Sequence, residues 1–390
     1  MSASPSRFRL FDGRTPLAWR NITHKKVAMV VSVAAVAFAV LIMFMELGFL
    51  NGLYDSQTGL VRRLRADLVM VGGTQHTLIT HEDFPRSRLL QAGAFPGVKA
   101  VQPIYIEDGL SYLRNPANGV KNGIRLIGFD LDAPIFDYPE VEAQIPLLRR
   151  PLTILFDVKS RPFFGVLQAG METELASRKV IVAGTFDLGT DYYYDGNLIT
   201  SRDTFFTLLP NRQPERVMLG LIQLEDGANV PEVLRQLQAS IHGDVEIMTK
   251  EQVIEREKRA WRKATPAGYV FAMGVVVGFI IGVIICYQIL YTDIIDHLPQ
   301  LATMKALGYH NRDLVKLVLK QALLLGILGF IPALLMTFSL YTALTGITGI
   351  VTLLTVSRVL LVLSLTLGMC LFSGLLAVRR ALAVDPADLF

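Results

Sequence analysis

Asp293-Ile-Ile-Asp-His-Leu-Pro-Gln-Leu-Ala-Thr-Met-Lys-Ala-Leu-Gly-Tyr-His310 is a polar stretch set between two apolar runs, Val270–Tyr291 and Leu314–Thr337. Each run is long enough to cross a bilayer, which takes about 20 residues. Two adjacent spans leave residues 293–313 as a short loop on one side of a membrane. The loop is predicted to carry a helix of its own. Pro299 suits a first helical turn. Leu298, Leu301, Met304 and Leu307 recur every three residues and fall on one stripe. Gly308 is placed as a left-handed C-terminal cap, and Asn311 can cap the helix that follows.

Moving outward, two more apolar runs appear, Val27–Leu47 and Val359–Val378. A 52% hydrophobic content and a mean hydropathy of +0.42 fit a membrane protein with a sizeable polar domain. Basic residues near span ends set the expected orientation. Residues 1–26 hold Arg7, Arg9, Arg14, Arg20, Lys25 and Lys26 against the single acid Asp12. The 293–313 loop and the start of the next span hold Lys305, Arg312 and Lys316, and the tail opens with Arg379 and Arg380. The linker 340–357 carries no charge. Both termini and the 293–313 loop are therefore expected in the cytoplasm, with the long segment 50–265 outside. Residues 51–265 hold 25 basic and 27 acidic side chains, so the net charge of +4 resides at the membrane flanks. The basic balance reports topology, not nucleic-acid binding, which needs a basic patch on one domain.

In chain order, 1–26 reads as a cytoplasmic segment, not a cleaved signal. Its Leu17, Trp19 and Ile22 interleave with Arg20, Lys25 and Lys26, as in a short helix lying at lipid headgroups. The spans are expected at 27–49, 266–292, 314–339 and 358–378, followed by a tail at 379–390. Glu46, near the outer end of the first span, is expected to reach into the headgroups. Leu50, Leu53, Tyr54, Leu60 and Leu64, and later the segment Lys250–Lys263, read as a pair of stalk helices, with Pro266 marking a break. Between them lie two β-α-β units. One comprises Ala66–Val71, Pro85–Ala94 and Val98–Ile106; the other comprises Val217–Leu224, Val230–Ile241 and Asp244–Met248. Two such units can make a ferredoxin-like sandwich, with about 107–215 as an inserted β-rich subdomain. Its predicted strands are Ile124–Phe129, Lys179–Val182 and Leu198–Thr200. Aromatic runs at Pro134–Pro139 and Tyr192–Tyr194 read as local packing, with contact to a partner or a lipid as the alternative. In the third span Pro332 either kinks the helix or ends it. The fold class is thus an α-helical membrane protein with four transmembrane helices and a large α+β outer domain.

Leu301-Ala-Thr-Met-Lys-Ala-Leu-Gly308, followed by Leu314-Val-x-Leu-Val-Leu-x-Gln-Ala322, resembles the signature of the FtsX/MacB-type ABC permeases, the mechanotransmission (type VII) superfamily. Asp296–Tyr309 looks most like the DevC branch, and the ending Arg379-Arg-Ala-Leu-Ala-Val-Asp-Pro-Ala-Asp-Leu389 resembles the common end of the superfamily. Gln300 and Gln321 depart from the pattern, standing where MacB-like members often carry Glu. The resemblance implies the permease subunit of a homodimeric exporter in a bacterial inner membrane. Its expected partners are a separate cytoplasmic ABC ATPase, a periplasmic adaptor (membrane-fusion) protein and a TolC-like outer-membrane channel. A lipid or other lipophilic substrate is implied. ATPase coupling then falls to Asp296, Leu298, Leu301, Thr303, Met304, Lys305, Ala306, Leu307 and Gly308. An FtsX-like regulator of a cell-wall hydrolase, without transport, is the alternative; a membrane-anchored enzyme is a more distant one.

No Gly-x-x-x-x-Gly-Lys-Ser/Thr loop or His-Glu-x-x-His occurs, so no ATP cradle, cofactor or metal is expected on this chain. His76, His81, Glu82 and Asp83 cluster in sequence but match no ligand spacing. The two cysteines, Cys286 and Cys370, both fall inside spans and read as small hydrophobes. Gly274, Gly278 and Gly282 share one face of the second span, a pattern that lets another helix approach backbone to backbone. Which helix packs there is open at this level.

Overall fold

The computed structural model describes residues 26–80, 82–241, 243–264, 266–298, 310–348, 352 and 354–382. It separates into two compact units. One is built on residues 1–50, 270–342 and 353–390, and the other on 51–269 and 343–352.

The first unit is a helical bundle. Among the described residues, four helices are long and apolar enough to cross a membrane. Span 1 lies in Lys26–Arg62, span 2 in Pro266–Asp296, span 3 in Asn311–Thr348 and span 4 in Val356–Leu382. Every one outruns its expected limits, because the apolar runs mark where lipid ends and not where backbone hydrogen bonding ends. Span 1 and the first stalk segment form a single helix of 37 residues. At 1.5 Å per residue that is about 55 Å, well beyond the ~30 Å hydrocarbon core. Span 3 continues through Pro332, so the proline does not end it. The bundle interior is lined by Val36, Val40, Met43, Leu290, Ala322, Val362 and Met369.

The second unit is an α+β domain. Its strands, in order, are β1 (Leu68–Gly72), β2 (Phe84–Pro85), β3 (Val98–Glu107), β4 (Tyr112–Arg114), β5 (Lys121–Gly123), β6 (Arg125–Phe129), β7 (Thr153–Asp157), β8 (Glu172–Leu175), β9 (Arg178–Phe186), β10 (Asn197–Ser201), β11 (Arg216–Val217), β12 (Leu219–Leu224) and β13 (Val245–Thr249). The order β13-β1-β12-β3, antiparallel throughout, is the ferredoxin-like arrangement of two β-α-β units. Helices Arg86–Gly93 and Val230–Ser240 supply the two crossovers. The second is capped by Asn229, whose side chain accepts from the Glu232 amide, and it buries Val233, Leu234 and Leu237 on one stripe.

The insertion is not a detached sheet. β6 pairs antiparallel with β3, and β10, β7, β9, β8, β4 and β5 continue from it, giving 11 strands in one mixed sheet. Alternation along β1 shows how the layers form. Leu68 and Met70 face a core shared with Leu89 and Leu237, while Val69 and Val71 face the core that receives Leu60, Leu64 and Val253 from the stalk helices. β1 is therefore buried on both faces and reads as a continuous apolar run. The second stalk helix, Lys250–Ala264, ends just before the helix that begins at Pro266.

Candidate coupling site

The expected coupling segment joins span 2 to span 3. Its start is described: span 2 ends at Asp296, and Leu298 follows, half-buried. Leu301, Thr303, Met304, Lys305, Ala306, Leu307 and Gly308 lie outside the described residues, as do Pro299, Gln300, residues 1–25 of the expected N-terminal segment 1–26 and residues 383–390 of the expected tail 379–390.

At this end of the bundle a cleft of about 310 Å³ opens between spans 1, 2 and 3. One wall is apolar, from Ala28, Met29, Val31 and Leu325; the other is polar, from Gln288, Thr292, Asp293, Asp296, His297 and Gln321. Gln321 is almost fully buried and donates from Nε2 to Asp293 Oδ2 at 3.2 Å. His297 Nε2 stands 3.5 Å from the other oxygen, Asp293 Oδ1. Span 3 is thus hydrogen-bonded to the last turn of the span 2 helix, at the first residue of the expected 293–313 segment. Sequence reasoning noted Gln321 only as a departure from Glu and did not pair it with Asp293. The signal was available, since a buried amide inside an apolar helix must find a partner.

The three glycines of span 2 sit against span 1 of the same chain. A Cβ on Gly274 would run into the Glu46 side chain. One on Gly278 would lie 3.1 Å from Ile42 Cγ2 and 3.2 Å from Met43 Cγ. One on Gly282 would meet Ala39 Cβ at 3.4 Å and also the Met369 sulfur of span 4. Each step of four residues along span 2 thus meets a step of three or four backward along span 1, an antiparallel pair in close contact. Glu46, expected to reach into the headgroups, lies with its side chain against this contact. Beside it Phe49 stacks on Phe271, with ring centroids 5.4 Å apart. On its other side span 1 meets span 3, where Gly329 faces Val36 and the Tyr341 hydroxyl donates to the Phe44 carbonyl.

The domain holds a second polar centre that sequence reading missed. Asp157 is fully buried at the end of β7. Its Oδ1 accepts from the amides of Lys159 and Leu188, and its Oδ2 accepts from the Gly189 amide and from Asn197 Nδ2. Burial pushes its carboxyl above the usual range, and these four donors pull it back. Asn197 Oδ1 accepts from Arg125 Nε at 2.7 Å; Arg125 Nη1 in turn reaches Asp191 Oδ2 at 3.1 Å and lies over the Tyr194 ring. Both carboxylates are saturated with protein donors, so the centre is built to hold the 187–196 loop in place. Tyr194 therefore belongs to the interior, while Tyr193 is exposed. In the other aromatic run Ile135 and Phe136 are buried, with Phe136 edge-on to Phe129. Among the described residues no three metal-ligating side chains come together; His81 of the sequence cluster lies outside them.

Comparison with known proteins bears on the membrane unit. No curated protein sequence matches the chain. Solved structures align with about half of the chain at low similarity. The periplasmic region of MacB from Actinobacillus actinomycetemcomitans aligns over 51% of this chain and 93% of its own, at 12% identity and a TM-score of 0.33. The extracellular domain of the noncanonic ABC-type transporter YknZ from Gram-positive bacteria aligns over 47% and 99%, at 13% identity and a TM-score of 0.32. A domain of a permease protein from Porphyromonas gingivalis aligns over 47% and 86%, at 13% identity and a TM-score of 0.29. Residues 272–386, which hold spans 2, 3 and 4 and the segment between spans 2 and 3, match the family model described as FtsX-like permease C-terminal. Over this region the chain is similar to the FtsX-like permeases.

Proposed function

We propose that this chain is the membrane subunit of a homodimeric, DevC-type ABC exporter that hydrolyses no ATP itself. The match of residues 272–386 to the FtsX-like permease C-terminal model carries the reading. In this reading both termini and the 293–313 segment face the cytoplasm of an inner membrane, as the basic flanks require. A cytoplasmic ATPase binds Asp296, Leu298, Leu301, Thr303, Met304, Lys305, Ala306, Leu307 and Gly308. Closure of the ATPase dimer then moves span 2. Span 1 follows, because Gly274, Gly278 and Gly282 hold the two helices in contact. The 37-residue helix that contains span 1 carries the motion into the domain. There a periplasmic adaptor leading to a TolC-like channel receives a lipid or other lipophilic substrate.

The test is on the apolar stripe. Met304→Glu places a carboxylate where a side chain is expected to fill a groove on the ATPase. Burying an apolar side chain contributes roughly 1.5–3 kcal/mol, and an unpaired buried charge costs more. The expected outcome is loss of ATPase co-purification and of adaptor-dependent hydrolysis in the reconstituted complex, with insertion unchanged. Lys305→Ala should do little, since exposed ion pairs contribute about 0–1 kcal/mol. Unchanged hydrolysis and co-purification for Met304→Glu would remove the segment from the coupling pathway.

A further inference from the structure

The chain has two cysteines, 84 positions apart, and they meet. Cys286 of span 2 and Cys370 of span 4 are free thiols, fully buried, with their Sγ atoms 3.5 Å apart. The contacts around them bring the two helices close. Three residues on from Cys370, the Ser373 hydroxyl donates to the carbonyl of Val283, three residues before Cys286, at 2.8 Å. Behind the pair, Gly326 of span 3 leaves the room Cys370 occupies, since a Cβ there would stand 3.0 Å from its sulfur. A disulfide needs Cα atoms about 4.4–6.8 Å apart and side chains directed at each other. The sulfurs, already in contact, are directed at each other, and the Ser373 hydroxyl bonded to the facing backbone shows the two helices meeting one turn away.

We propose that Cys286 and Cys370 are a modification site, a dithiol that closes to a reversible disulfide and staples span 2 to span 4. The oxidant is a small membrane-soluble hydroperoxide. In the first step one thiol sulfur attacks the O–O bond, becoming a sulfenic acid and releasing the alcohol. In the second the other thiol attacks that sulfur, the S–S bond forms and water leaves. Two S–H bonds are lost, and their two electrons and two protons reduce the peroxide to alcohol and water. Thiol reductants reverse the closure by exchange. Span 2 leads directly into the 293–313 segment, so the staple ties that segment's lever to span 4. This consequence for activity rests on the proposed coupling function; the bond itself does not.

The full chain in lipid vesicles, treated with cumene hydroperoxide, tests both parts. The intact mass should fall by two hydrogens, digestion should yield a joined Cys286–Cys370 peptide, and dithiothreitol should restore the starting mass. Cys286→Ser and Cys370→Ser should form no such link. Oxygen added to one sulfur without a link, a disulfide between two chains, or unreacted thiols in the folded protein would each overturn the site. In the reconstituted complex, oxidation should suppress ATP hydrolysis several-fold and reversibly in the native chain but not in Cys286→Ser. A bond that forms without affecting hydrolysis would overturn its restraining role. A chain that never engages the ATPase yet forms the bond would count against the coupling function and leave the dithiol site standing.

Discussion

The two units of this protein solve the same packing problem with opposite chemistry. In the bundle, cohesion comes from absence: Gly274, Gly278, Gly282 and Gly329 remove side chains so that backbones and neighbouring side chains can approach. Lipid tails are as apolar as the side chains, so no hydrophobic force drives the helices together, and close contact has to. In the domain, cohesion comes from a sheet whose inner strands β1, β6, β7 and β10 are buried on both faces and from polar side chains placed deep inside it, Asp157, Asn197, Arg125 and Asp191. Water surrounds that unit, so burial of its apolar surface stabilises it strongly enough to carry an internal ion pair. Small residues therefore decide the bundle, and satisfied polar residues decide the domain.

The largest effect should come from breaking the domain's rule. Arg125→Met leaves Asp191 buried beside a side chain that cannot donate to it, and also removes the donor to Asn197. Removing one partner of a buried pair costs about 3–5 kcal/mol. The expected outcome is early release of the 187–196 loop to protease and a clearly lower unfolding midpoint for the domain, with the bundle intact. If Arg125→Met unfolds no earlier than the native chain, the polar centre is dispensable and the contrast between the units fails on that side.

Gly278→Ile breaks the rule of the bundle. Its branched side chain would enter space held by Ile42 and Met43. Overpacking of this kind costs typically 1–3 kcal/mol. Because the contact is within one chain, the fault should appear in the folded monomer as lower thermal stability in detergent, whatever the state of association. A variant as stable as the native chain would mean that spans 1 and 2 do not touch at this face. Gln321→Leu is a finer probe. It removes the interhelical bond to Asp293, and such bonds within membranes are worth about 0.6 kcal/mol on average and up to about 1.7. A small fall in bundle stability is expected; a rise would show that the amide is a burden without a return.

The smallest effect concerns pH. Glu257 is buried in the second stalk helix and accepts from Trp261 Nε1 at 2.8 Å and from the Leu78 amide at 2.9 Å. Burial raises its pKa above the ordinary carboxylate value. A folded-state pKa above the unfolded one gives a contribution fully present below the unfolded value and lost as pH rises through the folded one. The domain should therefore lose some stability between acid and neutral pH on this account, and Glu257→Gln should lose less over the same window. Melting temperatures of both proteins at pH 5 and pH 8 measure the difference (about 1.4 kcal/mol for each unit of pKa change). A native protein no more pH-dependent than the variant would place Glu257 in water.

Much of this architecture is written locally. Apolar runs of bilayer length, charged flanks, and strand and helix periods separated by Gly and Asp turns each depend on a short stretch of chain. Four spans and two β-α-β units could therefore be read directly. β7 and β8 could not, because Thr153–Asp157 and Glu172–Leu175 gain their strand character from neighbours across the sheet. The face Gly274-x-x-x-Gly278-x-x-x-Gly282 was visible as a pattern, yet its occupant was not; spacing along one helix says that something packs there without saying what.

The sequence by itself determined the class of this protein, a four-span membrane chain with a large α+β domain, because hydropathy and period are properties of neighbours in the chain. Tertiary structure alone decided the pairings. It joined Gln321 to Asp293, Arg125 to Asp191 across 66 positions, Cys286 to Cys370 across 84, and the glycine face of span 2 to span 1. The physical reason is range. A side chain's polarity is fixed by its own atoms, but its partner is fixed by where the whole fold places a second group within a few ångströms.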